Sequence, residues 1–251
     1  MKILLIGGCG YVGSALGNYL QKDHDITNVD LEWFGNYSTG QSINIDYKHL
    51  TESFLEQFNV VILTAGHSSV KMCDTDLQSS FYNNVLNFVN LTKKLTTQKF
   101  IYASSASVYG NTSASEIAED NVNFSPINYY DMTKLHIDHI IQLSNLDYYG
   151  LRFGTVNGPA PSIRTDVMIN AMVNTAKQKG EIHVFNKDTR RSILGISDLC
   201  RAVEAIINNN KKASRGIYNT ASFTNTAGEI ADAVGKIAGV PVIDKDPPSV
   251  I

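Results

Sequence analysis

The chain has 251 residues, of which 43% are hydrophobic and 18% charged, as is typical of a globular protein with one large domain or one domain and a smaller lobe. A formal net charge of −3 and scattered basic residues argue against a nucleic-acid-binding surface, and no apolar run approaches the ~20 residues of a membrane helix. Three irregularly spaced cysteines and the lack of a signal-peptide pattern indicate a reduced, cytoplasmic protein, and no spacing of histidines or cysteines predicts a metal site.

Short apolar runs alternate with helical patterns over the first 154 residues. The predicted strands span residues 2–7, 25–30, 42–46, 59–66, 99–105 and 147–154. The predicted helices span residues 11–22, 79–97 and 130–146. The run at 59–66 is nearly all apolar, which is typical of a strand that is buried on both faces. This alternation predicts an α/β fold, with a Rossmann-type, doubly wound parallel sheet and right-handed crossovers over residues 1–154.

The pattern changes after residue 154, where a loop rich in proline and glycine begins. The elements predicted beyond this loop are helices at 166–179, 197–209 and 227–238 and strands at 182–185 and 216–219, with an irregular basic segment in between. These elements predict a smaller C-terminal lobe over residues 155–251. The helix at 197–209 is a candidate for a return to the large sheet.

A glycine-rich turn, IGGCGYVG at residues 6–13, separates the first strand from the first helix. Gly8, Gly10 and Gly13 match the GxGxxG pattern, and Gly7, Gly10 and Gly13 match its GxxGxxG variant. Glycines allow a tight turn and let the backbone approach a pyrophosphate at a helix N-terminus. A glycine triplet alone is weak evidence, but its strand–turn–helix context predicts a dinucleotide-binding loop.

Asp30 ends the second predicted strand, 20 residues after Gly10. A carboxylate in this position can accept hydrogen bonds from the adenosine ribose and would repel the 2′-phosphate of NADP. No arginine or lysine lies between residues 31 and 47 to bind such a phosphate. The pattern therefore favours NAD over NADP, and the alternative is that Asp30 is an ordinary turn residue at the end of a strand.

Tyr130 and Lys134 are four residues apart in the predicted helix at 130–146, so they lie one turn apart on the same face. Ser105 ends the fifth predicted strand, and Tyr130 begins the next helix. Because ligands of doubly wound sheets lie outside the carboxyl ends of the strands, the three side chains are predicted to converge on a catalytic site. The alternative is a surface pair in which Asp131 forms a salt bridge with Lys134.

Seven segments, in order along nearly the whole chain, resemble the extended short-chain dehydrogenases/reductases of the NAD-dependent epimerase/dehydratase family, which acts on nucleotide sugars. The segments are GGCGYVG (7–13), VVILTAGHSSV (60–70), NNV (83–85), KFIYASSASVYG (99–110), YDMTK (130–134), LRFGTVNGP (151–159) and RRSILGISDLCRAV (190–203). Together they are far more specific than any one motif.

The resemblance implies roles for individual residues. Tyr130 and Lys134 match the catalytic YxxxK pair, and Ser105 matches the active-site serine or threonine. The residues that it implies for NAD binding are Gly7, Gly10, Tyr11, Val12, Asp30, Asp46, Ala65, Gly66, Asn84, Lys134, Phe153 and Val156. The residues that it implies for binding a nucleotide-diphosphate sugar are Ser105, Thr155, Asn170 and Arg191. The alternatives are that Asn84 supports the active-site helix or packs as a buried polar residue, and that Arg191 is a solvated surface charge.

The sequence departs from the family pattern at three positions within the matching segments. Asp131 stands where the family usually has glycine after the tyrosine, Gly195 where histidine is common, and Thr155 where many 4-epimerases have asparagine. The last departure puts the sugar contact in doubt. The family usually continues well past Ile251, so the predicted lobe is expected to be incomplete at its C-terminal end.

The resemblance implies a nucleotide-sugar epimerase that acts by transient hydride abstraction, through a keto-sugar intermediate. The family's 4,6-dehydratases carry Asp-Glu just after the active-site threonine, whereas Ala106 and Ser107 stand here, which disfavours dehydration. An NAD(P)-dependent reductase of keto sugars is the first alternative, ahead of a dehydratase. A non-catalytic dinucleotide-binding protein is a third, disfavoured because Ser105, Tyr130 and Lys134 are all present.

Family members commonly pair the helices at 79–97 and 130–146 across a four-helix dimer interface, so the resemblance predicts a homodimer. The residues at helical spacing that could form this interface are Val85, Phe88, Val89, Leu135, His139, Ile140 and Leu143. Some of these side chains must also cover the sheet.

Overall fold

The computed structural model describes residues 1–110, 117–120, 123–208 and 213–245. The chain divides into two compact units. The first comprises Met1–Phe153, Ala160–Ser162 and Cys200–Thr220, and the second comprises Gly154–Pro159, Ile163–Leu199 and the residues from Ala221 onward. The last residue of the predicted helix at 197–209 and the last six residues of the predicted lobe lie outside the described residues.

The described residues contain twelve strands and nine α-helices. The strands are β1 (Lys2–Ile6), β2 (Asp25–Asp30), β3 (Gln41–Asn44), β4 (Val60–Leu63), β5 (Lys99–Ser105), β6 (Asp147–Phe153), β7 (Thr155–Asn157), β8 (Ile182–Phe185), β9 (Arg190–Gly195), β10 (Gly216–Thr220), β11 (Phe223–Thr226) and β12 (Val242–Lys245). The helices are α1 (Tyr11–Leu20), α2 (Glu52–Leu55), α3 (Val70–Thr75), α4 (Leu77–Phe81), α5 (Asn87–Thr92), α6 (Tyr129–Ile141), α7 (Met168–Lys179), α8 (Ile196–Ile207) and α9 (Ala227–Ala238). Short 3₁₀ turns lie at Tyr47–His49 and Ala106–Tyr109, and a π-helical turn lies at Tyr82–Leu86.

Seven of these strands form one parallel sheet in the first unit, in the order β10–β6–β5–β4–β1–β2–β3. Every residue of β4 is buried, as its apolar sequence predicts. The strand order reverses on either side of β1, which creates a switch point beside the carboxyl end of that strand. The predicted Rossmann-type, doubly wound sheet is therefore confirmed.

The seventh strand corrects the predicted domain boundary. The sequence analysis places residues 216–219 in the smaller lobe, but β10 pairs in parallel with β6, from Gly216 beside Tyr149 to Thr220 beside Phe153. The helix α8 supplies the crossover that a parallel strand requires. A strand of five residues carries too little pattern to show which sheet it joins, so this pairing comes from the tertiary fold.

The predicted helix at 79–97 is divided into α4, the π-helical turn and α5, and it ends at Thr92. A π-helical turn is rare and often lies at a functional site. The predicted helix at 130–146 is also shorter, because α6 ends at Ile141. Apolar periodicity marks the centres of these helices but does not reveal where the backbone hydrogen bonds change partner.

The large sheet is covered by apolar side chains from these helices. Phe88 of α5 packs against Phe100 and Tyr102 of β5, with ring centroids 5.7 and 5.2 Å apart. Ile137 of α6 joins the same core. Val85 and Phe88 are almost completely buried there, so these two of the apolar residues cover the sheet and are not available to a subunit interface. Their apolar character is explained by the sheet that they cover.

The second unit contains two small sheets, in the orders β11–β9–β7 and β12–β8. The irregular basic segment of the sequence analysis contains β9, and the predicted loop after residue 154 contains β7. Buried side chains of α7 and α9 pack with those of β8 and β9. Thr226 and Glu229 form a reciprocal capping box at the start of α9, and Gly239, with φ of +68°, ends that helix.

A buried ion pair joins α6 to β6. The Arg152 Nε donates to Asp138 Oδ2 at 2.8 Å, and both side chains are almost completely buried. Tyr102 donates its hydroxyl to Asp138 Oδ1 at 2.9 Å, and Arg152 donates to the Tyr109 hydroxyl at 2.6 Å. The Tyr109 hydroxyl in turn donates to Asn219 Oδ1 at 2.9 Å. This network connects three strands of the sheet to α6 and to the 3₁₀ turn after β5.

We expect Arg152→Met to lower the free energy of unfolding by roughly 3–5 kcal/mol, because it leaves the Asp138 carboxylate buried without its cation. Urea unfolding at neutral pH measures this loss. Asp244→Asn, which breaks an exposed pair with Lys187, should leave the free energy of unfolding nearly unchanged. Equal effects of the two substitutions would contradict the assignment of a buried network.

Candidate active site

The turn at the end of β1 forms a cradle that is built mostly of glycine backbone. Gly7 has φ of +92°, and a β-carbon added to it would lie 2.4 Å from the Ala65 nitrogen. Gly10 precedes α1, and among the described residues only the Gly7 carbonyl would lie within 4 Å of a β-carbon added there. Tyr11 and Val12 form the first turn of α1, which has no side-chain cap in the described part of the chain. This open helix N-terminus fits an anionic group such as a pyrophosphate.

The Asp30 carboxylate is held beside the same turn. Its Oδ2 accepts the Cys9 N–H at 2.9 Å, and its Oδ1 accepts the Glu32 N–H at 2.7 Å. The side chain is only half-buried, so it remains accessible to a ligand. The position fits an acceptor for ribose hydroxyls and opposes a 2′-phosphate.

Asp46, predicted to contact the adenine side, has partners in its own turn. Its Oδ1 accepts the Lys48 N–H at 3.0 Å and caps the 3₁₀ turn after β3. Its Oδ2 forms an ion pair with the Lys48 ammonium at 3.0 Å. The carboxylate is thus oriented by its own turn, and Lys48 offsets its charge.

The carboxyl end of β4 is tied to the glycine turn. The Thr64 hydroxyl donates to the Gly7 carbonyl at 3.2 Å, and the Ala65 N–H donates to the Ile6 carbonyl at 3.0 Å. Gly66 follows with φ of +152°, and a β-carbon there would lie 2.7 Å from Asn84 Oδ1. Small residues are therefore required at this edge of the cleft.

Asn84, in the π-helical turn, clamps the loop after β4 to α6. Its Oδ1 accepts the His67 N–H at 2.8 Å, and its Nδ2 donates to the His67 carbonyl and to Thr133 Oγ1, both at 3.1 Å. The side chain is buried, and these bonds use both of its amide hydrogens. The geometry favours a positioning role over the cofactor contact that the resemblance implies.

Lys134 links α6 to β5. Its ammonium donates to the Ala103 carbonyl at 2.8 Å, two residues before Ser105. The Ser105 hydroxyl lies 2.8 Å from the Ser107 hydroxyl and accepts the Ser107 N–H at 3.2 Å. Phe153, predicted to contact the cofactor, lies beside Ser105 on the neighbouring strand. The lysine therefore joins the strand that carries Ser105 to α6, near the end of that strand.

The Lys134 ammonium lies in an unusual environment for a charge. Burial lowers the pKa of Lys134 to about 8, while the nearby Asp138 carboxylate acts in the opposite direction. The ammonium is 5.8 Å from the centroid of the Tyr130 ring, so the two residues share one face of α6 as their spacing predicts. A cation next to a phenol favours the phenolate form.

The start of α6 fixes the backbone of Tyr130. Asn128 caps the helix by accepting the Asp131 N–H at 2.9 Å, and Asp131 Oδ2 accepts from the Asn128 amide at 2.8 Å. The same carboxylate oxygen accepts the Ile127 N–H at 3.3 Å. Asp131, the departure from the usual glycine, is fully buried in this cap, so it forms no surface salt bridge with Lys134.

Four of the predicted site residues belong to the second unit. Thr155 and Val156 lie in β7, and Arg191 is exposed on β9 opposite Asn225 of β11. Asn170 lies in α7, where its Oδ1 accepts the Gly158 N–H at 3.0 Å and its Nδ2 donates to a backbone carbonyl at 2.8 Å. The Asn170 amide thus organises the loop before α7, and Arg191 presents its guanidinium to solvent.

Several groups that position the site are not among the residues predicted from the sequence. Thr133 precedes Lys134 in the YxxxK motif and accepts a hydrogen bond from the Asn84 amide. Asn128 lies three residues before Asp131, a spacing typical of a helix cap. His67 and the Ala103 carbonyl give no comparable signal. Every residue has a backbone carbonyl, so only the fold shows which carbonyl accepts the hydrogen bond from the Lys134 ammonium.

Comparison with known proteins identifies the family of the chain. A family model described as the NAD dependent epimerase/dehydratase family matches residues 3–221. Protein CapI of Staphylococcus aureus is 30% identical over 236 residues, which cover 82% of this chain and 69% of that protein. A UDP-glucose 4-epimerase of Corynebacterium glutamicum is 24% identical, covering 96% of this chain and 82% of that enzyme.

A solved structure shows the same similarity in three dimensions. The ADP-L-glycero-D-manno-heptose-6-epimerase of Helicobacter pylori is 28% identical, with a TM-score of 0.83, over 98% of this chain and 84% of that one. No helix within the described residues is both long and apolar enough to cross a membrane. The glycine cradle, Asp30 and the buried lysine fit the NAD on which the family depends.

The burial of Lys134 predicts a specific pH dependence in the cofactor-free protein. Because folding lowers the pKa of Lys134 from 10.5 to about 8, the unfolded chain holds this proton more tightly, and folding stability rises as pH increases through that interval. The free energy of unfolding of the wild type, measured relative to Lys134→Met, should rise by on the order of 2 kcal/mol between about pH 7 and about pH 10. A pH-independent difference in urea unfolding would contradict a buried ammonium.

Proposed function

The chain belongs to the NAD dependent epimerase/dehydratase family, and we propose that it epimerises a nucleotide-diphosphate sugar by transient oxidation of one sugar carbon. The observation that carries the proposal is the buried Lys134 ammonium, which lies on the Tyr130 face of α6 and is bonded to the strand that ends at Ser105. Bound NAD supplies the hydride acceptor and donor. The remaining chemistry belongs to side chains of this chain.

In this proposal Tyr130 is the general base. Its phenolate takes the proton from a sugar hydroxyl, and Lys134 stabilises the phenolate by its charge. Ser105 donates a hydrogen bond to the reacting oxygen, and its own hydroxyl is oriented by Ser107. The keto sugar then rotates and presents its opposite face. Tyr130 returns the proton to the sugar oxygen while that face of the carbon is reduced, and the epimer results.

The substrate class rests on the relatives and on three residues of the second unit. We assign Arg191 to the diphosphate, since an exposed guanidinium can bind phosphate oxygens with two parallel hydrogen bonds. Thr155 is assigned to the sugar, and Asn170 to the loop that shapes its site. The C. glutamicum and H. pylori relatives, named as epimerases of UDP-glucose and of an ADP-heptose, support a nucleotide sugar as the class.

Dehydration is disfavoured by the turn after β5. Ala106 provides no acid or base, and the Ser107 hydroxyl is engaged with Ser105 at 2.8 Å. A dehydratase of the family needs a further acid and base at these two positions. A reductase would instead consume one reduced cofactor for each product, which a cofactor balance measures directly.

We further propose that the protein acts as a homodimer. The outer face of α6 exposes Tyr129 (55%) and Met132 (40%) at helical spacing, and Leu143, two residues after the end of the helix, is 90% exposed. Phe81 of α4 is also exposed, and its ring lies 6.3 Å from that of His136 on α6, so the two helices present adjoining surfaces. A second copy of the same chain would cover both by two-fold symmetry.

We propose a reducing compartment, the cytoplasm, as its location. The described cysteines Cys9, Cys73 and Cys200 are all buried free thiols, which would be unusual in a protein exposed to an oxidising environment.

Tyr130→Phe removes only a hydroxyl and keeps the ring packing. Turnover of an accepted nucleotide sugar should fall by at least roughly 10²-fold, the usual scale for a lost general base, while the NAD affinity measured by calorimetry changes little. Tyr129→Phe, on the exposed face of the same helix, is the matched control and should retain activity. Near-normal turnover by Tyr130→Phe would refute the catalytic assignment.

The dimer is tested with two equally exposed side chains. Light scattering of the wild type at micromolar concentration should give about twice the chain mass of 27.6 kDa. Leu143→Glu should shift this mass towards the monomer, because it places a charge in the proposed interface. Ile237→Glu, on α9 where Ile237 is 88% exposed, should not. A wild-type mass near 28 kDa would refute the dimer.

A further inference from the structure

A half-exposed tryptophan stands next to the cofactor cradle. Trp33 lies three residues after the end of β2, and its indole meets the imidazole of His67 edge-on, with ring centroids 5.3 Å apart. His67 lies four residues after the end of β4. The glycine turn of β1 lies between these two strands in the sheet, so this contact bridges the loops on either side of the turn.

The tryptophan loop is firmly attached to the cradle. Glu32, just before Trp33, has φ of +56°, a left-handed conformation that a residue other than glycine adopts at some cost. Its Oε1 accepts from the Asn36 amide at 2.8 Å, and the Cys9 thiol of the glycine turn donates to Asn36 Oδ1 at 3.4 Å. The strained backbone is held in place by these bonds and by Asp30, which accepts the Glu32 N–H.

The imidazole on the other side is equally fixed. The His67 backbone is held at both its N–H and its carbonyl by Asn84, and its Nδ1 lies 3.3 Å from the Asn83 amide nitrogen. Since Asn84 also donates to Thr133 of α6, the ring contact is continuous with the structure that positions Lys134. Both partners are therefore rigidly mounted, yet Trp33 is 51% exposed.

Ligands of a doubly wound sheet lie outside the carboxyl ends of the strands at the switch point, which is where this ring pair stands. We propose that Trp33 and His67 form a fixed clasp that lies over the adenosine half of bound NAD and slows its dissociation. The inference depends on the NAD dependence of the family, and only its benefit rests on the proposed function. An epimerase restores its cofactor in each cycle and gains from retaining it, whereas a reductase must exchange it.

The rate of cofactor release tests the clasp without any sugar substrate. Protein loaded with NADH is mixed with excess NAD in a stopped-flow instrument, and the decay of bound-NADH fluorescence gives the dissociation rate constant. Trp33→Ala and His67→Ala should each raise this constant roughly tenfold, which equals about 1.4 kcal/mol, and the double variant should be no faster than the faster single variant. Phe34→Ala, on the same loop and 65% exposed, is the control and should stay within about twofold of the wild type.

Wild-type dissociation rates in both single variants would overturn the clasp, as would a double variant in which the two effects multiply. If these variants only bound the cofactor faster, the clasp would also be overturned. That result would mean that Trp33 obstructs entry of the cofactor instead of slowing its release. Failure of sugar turnover with these release rates intact would refute the proposed function and leave the clasp standing.

A second measurement uses the single tryptophan of the chain, since fluorescence excited at a wavelength that tyrosine does not absorb reports on Trp33 alone. In the wild type, saturation with NAD should reduce the quenching of this fluorescence by acrylamide, because the bound adenosine shields the half-exposed indole. His67→Ala should weaken that protection even where the variant binds NAD fully. Quenching that is identical with and without NAD would show that bound NAD does not shield Trp33, and it would overturn the proposal.

Discussion

The candidate site depends on one hydrogen bond, from the buried Lys134 ammonium to the Ala103 carbonyl. This bond joins α6 to β5 two residues before Ser105, so it holds Tyr130, Lys134 and Ser105, which carry the proposed chemistry, in one frame. Burial makes the charge costly, as the lowered pKa of Lys134 shows, and Asp138 offsets part of that cost. The structure thus maintains an unfavourable charge in the place where a neighbouring phenol would gain from it.

Two further arrangements keep this frame rigid. Beneath it, the Asp138–Arg152 pair and its tyrosine partners tie α6 to the sheet from inside the core. Beside it, Asn84 joins the loop after β4 to α6 through Thr133. Asn84 lies in the π-helical turn, a rare element that often occurs at functional sites. The proposed clasp extends the same connection to the cofactor cleft through His67.

The parts that the sequence predicted are those with a local signal. The apolar runs of β1 and β4 and the glycine turn identify the sheet and its switch point, and the four-residue spacing of Tyr130 and Lys134 identifies the shared face of α6. The parts that it missed depend on distant partners. Pairing of β10 with β6 is decided by the edge that remains available in the folded sheet. Phe88 has the same apolar character whether it faces a subunit or a sheet, so only its burial in the structure shows that it covers the sheet.

The central claim is that a hydride leaves and returns to the same sugar carbon while Tyr130 moves only the hydroxyl proton. The most direct measurement is proton NMR of an accepted nucleotide sugar that is incubated with the enzyme and NAD in D₂O. The account predicts an epimer that keeps its original hydrogen at the inverted carbon, with no net reduction of the cofactor. Deuterium at the inverted carbon, or reduced cofactor that accumulates in proportion to product, would contradict it.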